Sequence, residues 1–324
     1  MNPFHVALLG FNNYSLPEDI QDYQLRIELG VNTVLTDGIL FFNAYESSKY
    51  PEVFCDKKYF FIYSTDHAVG SGGIYWGKGN ELDLSDFQEI ALIKSGYQSE
   101  TPVLLRIPSE ELPDNEVLHL FYHTTGSEPG NNGYQQTRLI TSEGGAQLHS
   151  MSWTDHGRPL GIISAENHTG YFRPIRIGPN NYRGVHITKG GIPQPWYFST
   201  STDGRNWSRG NEYDARSFVP EIGDWIKPSY GDFFDYLGRK WWIGTLEKAQ
   251  SSENTNGVQK QLVACKSDNN FQVTEIVQIL NNGNYTRNHG LKIDGDLAYI
   301  YTENPSPSNI YSSKYDLRNL KKYL

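Results

Sequence analysis

The chain has 324 residues, a formal net charge of -9 and a mean hydropathy of -0.57. No run approaches the roughly 18 apolar residues of a membrane span, and acids interspersed with bases leave no basic footprint for a nucleic acid. The aromatic content is high, with Tyr 22, Phe 15 and Trp 7, which favours strands and suits stacking on sugar rings.

In chain order, MNPFHVALLG opens with neither a basic n-region nor a long apolar h-region, so no signal peptide is expected and a cytoplasmic location follows for the chain as given. LPEDIQDYQLRIEL is the best helical candidate. Thereafter the chain reads as short apolar or aromatic runs broken by Gly, Asn, Asp and Pro, the pattern of strands and turns. The runs fall into groups of three. TDGILFF, KKYFFIYSTDH and GGIYWGKG come first, then SETPVLLRI, EVLHLFYHTT and QQTRLITS. NHTGYFRPIRI, NNYRGVHIT and WYFSTSTDGRNW follow, then KPSYGDFFDY, GRKWWIGTLE and KQLVACKSDNNF, and last TRNHGLKID, GDLAYIYTE and NIYSSKYDL. Asp37, Glu100, His168, Pro228 and Asn288 mark equivalent starts, spaced by 63, 68, 60 and 60 residues.

Five near-equal units of this kind predict an all-β fold, a five-bladed β-propeller over residues 1–324 as a single domain, with blades starting near 31, 97, 165, 225 and 285. HVALLGF is the expected fourth strand of the last blade, closing the ring and removing an exposed edge. A two-sheet sandwich is the alternative, but it leaves the repeat unexplained. Cys55 and Cys265 lie far apart without a partner motif and are expected as buried thiols.

Three pieces of this repeat resemble the five-bladed glycosidases of glycoside hydrolase families 43 and 117. TDGILFF places Asp37 where those families hold an acid at the start of the first inner strand. YFFIYSTDH followed by GGIYWGKG is similar to their first-blade aromatic strand and its successor, and STSTDGRNW to their Ser-x-Asp-Gly-x-x-Trp blade turn. The family 43 pattern has a second acid in blade three and a Glu in blade four, where this chain has Glu166 with His168, and KPSYGD. Family 117 uses a histidine as general acid, a role the resemblance extends to His289 in TRNHG.

In a propeller the inner strands converge on one central tunnel, so distant clusters form one mouth. The catalytic candidates are Asp37 as base or nucleophile, Glu100 and His289 as acids, and His168 at an equivalent strand start. Candidates for substrate binding are Asp66, His67, Trp76 as a sugar platform, His123, Glu166, Tyr171, Arg173, Tyr230 beside Lys227, and Arg287. Glycoside cleavage needs a proton donor and a carboxylate that activates water or attacks carbon. An imidazole can serve as the donor, and guanidiniums bind carboxylates or sulfates bidentately. Asp155-His156 reads as a surface turn, and Asp203-Gly204 with Trp207 as a structural blade turn.

No P-loop, GxGxxG, GxSxG, HExxH or paired CxxC occurs, so nucleotide, serine-hydrolase and zinc-protease readings have no support. No cofactor is required; a divalent cation in the central tunnel is compatible with the converging His and carboxylates, though no ligand spacing specifies one. The expected function is hydrolysis of an oligo- or polysaccharide, including an anionic one. The alternatives are a polysaccharide lyase using His168, Tyr171, Arg173 and Arg287 on a uronate, and a non-catalytic carbohydrate-binding propeller. The five starting clusters TDG, ETP, NHTGY, KPSYG and TRNHG differ from one another, which favours one asymmetric central site.

Overall fold

The computed structural model describes residues 39–42, 48–55, 59–65, 72–79, 82, 86, 88–108, 116–143, 152–161, 169–188, 196–213, 226–248, 259–269, 271, 273–281, 287–305 and 308–324. LPEDIQDYQLRIEL and HVALLGF lie outside them. Short runs of aromatic and β-branched residues, each ended by a Gly-, Asn- or Asp-bearing turn, pair with their sequence neighbours as antiparallel strands. The result is an all-β propeller whose strands form five four-stranded sheets.

One sheet holds β2 (Ser48–Cys55), β3 (Tyr59–Thr65), β4 (Gly73–Gly79) and β5 (Gln88–Ser95). The next holds β6 (Glu100–Pro108), β7 (Glu116–Thr124), β8 (Gln136–Glu143) and β9 (Thr154–Gly157). The third holds β10 (Thr169–Gly178), β11 (Asn181–Thr188), β12 (Trp196–Ser201) and β13 (Ser208–Tyr213), and the fourth β14 (Ile226–Tyr236), β15 (Arg239–Lys248), β16 (Gln259–Ser267) and β17 (Val273–Asn281). The last joins β18 (Arg287–Asp294), β19 (Leu297–Pro305) and β20 (Ser308–Asp316) to β1 (Ile39–Phe42). The innermost strands touch in the order β2, β6, β10, β14, β18 and back to β2, so they surround a common centre. The Tyr301 hydroxyl donates to the Leu82 carbonyl and ties the last sheet to the first.

Strand β1 corrects the sequence reading. TDGILFF is expected innermost in the first sheet, but its strand lies outermost in the last one, with Ile39 opposite Ser312. The innermost strand of the first sheet is SKYPEVFC. A proline argues against a central ladder position, and that is why this run does not read as an inner strand. Pro51 falls inside the register shift between Lys49 and Glu52, where the ladder is already interrupted.

Apolar layers between sheets hold the ring together. Alternation along β7 points Leu118, Leu120 and Tyr122 at Ile74 and Trp76 of the first sheet, while Phe121 packs with Phe172, Tyr182 and Trp207 of the third. Between the fourth and last sheets Trp241, Ile243, Leu262 and Ala264 meet Ala298, Ile300 and Tyr315. A 3-10 helix, Leu317–Tyr323, is capped by the Asp316 side chain and adds buried Leu317 and Leu320 to this layer. STSTDGRNW is a structural turn, as the sequence suggests. Asp203 Oδ1 accepts from the backbone N–H of Arg205 and of Asn206, both at 2.8 Å, and Trp207 Nε1–H donates to the Gly204 carbonyl. Burial acts to raise the Asp203 carboxyl, but these bonds outweigh it and hold it down to about 2. Cys265 is a free buried thiol, pushed up by burial.

Candidate active site

Every innermost strand carries a register shift near its start. The shifts lie between Lys49 and Glu52, Glu100 and Val103, Gly170 and Arg173, Pro228 and Tyr230, and Asn288 and Gly290. An extra residue bends the strand and re-aims its side chains. Two shifts hold residues in the left-handed region, Thr101 at φ 49 and Tyr171 at φ 56, a conformation that persists in non-glycine residues only where the surroundings impose it.

Around these shifts the structure joins several of the expected residues. Glu100 begins β6 and is the cross-strand partner of His123 near the end of β7. His123 Nδ1–H donates to Glu100 Oε1 at 2.9 Å, and the two side chains are only 2% and 1% exposed. The Tyr171 ring lies nearly parallel to the His123 ring, with centroids 6.1 Å apart. Two positions further along β10, Arg173 is buried and stands close enough to act on the charge of Asp232 on β14. Glu100, His123, Tyr171, Arg173 and Asp232 therefore follow one another across the second, third and fourth sheets.

Asp232 is the carboxylate of this group that lies on β14. Burial raises its carboxyl above the ordinary carboxylate value, and the Arg173 guanidinium offsets this only in part. Its Oδ2 is buried without a hydrogen-bond partner among the described residues. Sequence reasoning missed it because, within the strand run KPSYGDFFDY, Lys227 and Tyr230 at the start drew the attention and no spacing marked the acid.

The remaining candidates divide by position. Trp76 is buried against Ile74, Leu118 and Leu120; both indole faces belong to the core, which corrects its expected role as a sugar platform. Asp37, Asp66, His67, Glu166 and His168 lie outside the described residues. The strand that follows Asp37 in the sequence, β1, is outermost in the last sheet. Tyr230 follows the register shift of β14, while Arg287 opens β18 and His289 falls within that strand's shift. The counterpart of His289 in the third sheet is therefore the shift that holds Tyr171, rather than the expected His168. Asp155 and His156 belong to the short, exposed strand β9. Among the described residues, no three His, Cys, Asp or Glu side chains come together as a metal-binding group, and no helix is long and apolar enough to cross a membrane.

No family model matches the chain, and no curated protein matches it. Solved structures do share its fold, all at low identity. A β-1,2-mannobiose phosphorylase from Listeria innocua is 9% identical with a TM-score of 0.56, over 85% of this chain and 91% of that one. A family 117 glycoside hydrolase from Zobellia galactanivorans is 11% identical with a TM-score of 0.52, over 87% and 89%. A family 32 β-fructofuranosidase from Bombyx mori is 13% identical with a TM-score of 0.54, over 91% of this chain and 64% of that one. The expected resemblance to propeller glycosidases thus holds at the level of the fold.

Proposed function

We propose that the chain is a glycoside hydrolase acting on a glycan held at the centre of the ring. The observation that carries this reading is the run of Glu100, His123, Tyr171, Arg173 and Asp232 across three neighbouring sheets that meet around the centre, in which burial raises the Asp232 carboxyl. A carboxylic acid whose protonated form is favoured by its surroundings can give its proton to a departing glycosidic oxygen. The Glu100–His123 pair and the Tyr171 ring next to it shape the neighbouring wall. The sequence's own catalytic candidates are Asp37 as base or nucleophile, Glu100 and His289 as acids, and His168. The fold agrees with this reading, since hydrolases and a phosphorylase of glycosides share it.

The test is Asp232→Asn, measured on mannosides, fructosides and algal or plant oligosaccharides that the wild type cleaves. Turnover should fall by roughly 10²- to 10⁴-fold with little change in KM or thermal midpoint, and glycosides with good leaving groups should be largely spared. An Asn variant as active as the wild type on an ordinary glycoside would overturn the assignment. The parallel stack of His123 on Tyr171 beside Arg173 favours a second reading, elimination from a uronate with an imidazole or phenol as base. An ultraviolet-absorbing unsaturated product separates elimination from hydrolysis.

A further inference from the structure

We propose that Tyr97 is a stacking platform for a sugar ring beside this site, so that the substrate is an oligosaccharide reaching past the cleaved bond; the proposal rests on the glycan-active reading above. Tyr97 lies in the connection from β5 to β6, three residues before Glu100. The residue is 38% exposed, whereas Gln98, Ser99, Glu100 and Thr101 that follow are all buried. An exposed aromatic alone is ordinary. What sets this one apart is its backbone.

Gly96, Tyr97 and Gln98 are all left-handed, with φ 81, 54 and 57. Glycine adopts that region without penalty, but a side chain there crowds the following carbonyl. A turn of this shape would be relaxed with Gly or Asn at both later positions. Here a large aromatic occupies the strained place, and the surroundings hold it there. Gly96 N–H donates to the Gly72 carbonyl at 2.8 Å, and Ser99 Oγ donates to the Gly96 carbonyl at 2.7 Å. The Tyr97 carbonyl accepts from Thr125 N–H at 3.0 Å and from Thr124 Oγ1 at 2.8 Å. Thr124 directly follows His123, so the platform is fastened one residue from the Glu100–His123 pair.

The chemistry that fits an exposed phenol ring on a fixed backbone is the apolar C–H face of a pyranose, lying on the negative face of the π-system. Its preset backbone lowers the ordering cost of binding. Tyr97 stands on a connection, while Asp232 is on an innermost strand, so the platform takes a sugar other than the one at the scissile bond.

Two variants test this. Tyr97→Asn removes the ring but tolerates the left-handed backbone, and Tyr97→Phe keeps the ring. Kinetics are measured on an oligosaccharide and on an aryl monoglycoside of the same sugar, alongside thermal midpoints. Tyr97→Asn should raise the oligosaccharide KM about tenfold or more, with a smaller effect on the monoglycoside and no loss of thermal midpoint; Tyr97→Phe should recover most of the affinity. An unchanged oligosaccharide KM in Tyr97→Asn, or an equal loss in both variants, overturns the platform. If the wild type cleaves no glycan, the hydrolase reading fails, and equilibrium binding of the same oligosaccharides decides the platform. Binding lost in Tyr97→Asn and kept in Tyr97→Phe supports it, and no wild-type binding overturns it.

Discussion

Arg138 on β8 carries an unusual share of the order beside the site. Its Nη2–H donates to Asp155 Oδ2 at 2.6 Å, and its Nη1–H groups reach the Pro129 carbonyl at 2.8 Å and Asn131 Oδ1 at 3.2 Å. Its Nε lies 3.6 Å from Glu128 Oε1, and Lys94 Nζ is 3.0 Å from the same oxygen. Glu128 is 4% exposed, so its charge depends on these two cations, with the Tyr122 hydroxyl donating to the same oxygen at 3.4 Å. Removing one partner of a buried charged pair costs about 3–5 kcal/mol, because the other charge stays behind. Arg138→Met should therefore lower the unfolding free energy from urea titration by about that amount, and adding Glu128→Gln should restore part of it. A loss below about 1 kcal/mol would show that Lys94 alone satisfies the carboxylate.

At the scale of the strand, Thr169 clamps the start of β10 to the start of β8. Its hydroxyl donates to Gln136 Oε1 at 3.1 Å and accepts from Thr137 N–H at 3.3 Å, and its N–H donates to the Gln135 carbonyl at 3.0 Å. Tyr171 lies two residues on, so this clamp sets where that ring meets His123. Thr169→Val keeps the shape but leaves a buried amide oxygen and a backbone N–H short of a partner. It should cost about 1–3 kcal/mol in denaturant unfolding, and a neutral result would mean that the backbone bond alone positions the strand. The three inner strands of the second to fifth repeats were legible because period and turn residues are local signals, whereas in the first repeat the proline-bearing β2 was not. The outer strands were not: TDHG is four residues, three of them exposed, and SRGNEY is mostly polar. The pairing of Glu100 with His123 was not legible either, because it depends on a register across 23 positions that the shift after Glu100 sets. Trp76 illustrates the same limit, since an aromatic on a strand can face core or solvent until the neighbouring sheet is placed.

For the molecule as a whole, acid is the predicted weakness. His119 and His186 sit between the second and third sheets, fully buried. The His119 Nδ1–H donates to the Gly204 carbonyl at 3.0 Å, and the His186 ring stacks on Tyr197. Burial lowers His119 to about 4, against the opposing pull of the Gly204 carbonyl, and lowers His186 to about 3 with help from Arg209. Below pH about 6.5 the unfolded chain takes up a proton at each imidazole that the folded chain refuses. Stability therefore falls as pH falls from about 6.5 towards 4, by up to about 1.4 kcal/mol per pH unit for each ring. His186→Phe should remove one ring's share of that slope in urea unfolding series taken from pH 7 to pH 4. An unchanged slope would mean that His186 is not refusing its proton.

The pairing of β1 with β20 has a consequence for the order in which the fold comes together. Four sheets are each made from one continuous run of chain, so each can begin to form from neighbours a short loop apart. The last sheet needs Leu40 to find Tyr311, across a separation that spans the other four. Closing so large a loop costs more entropy than any hairpin in the molecule. That clasp is therefore the contact the chain makes last, once the intervening sheets have already brought its two strands close.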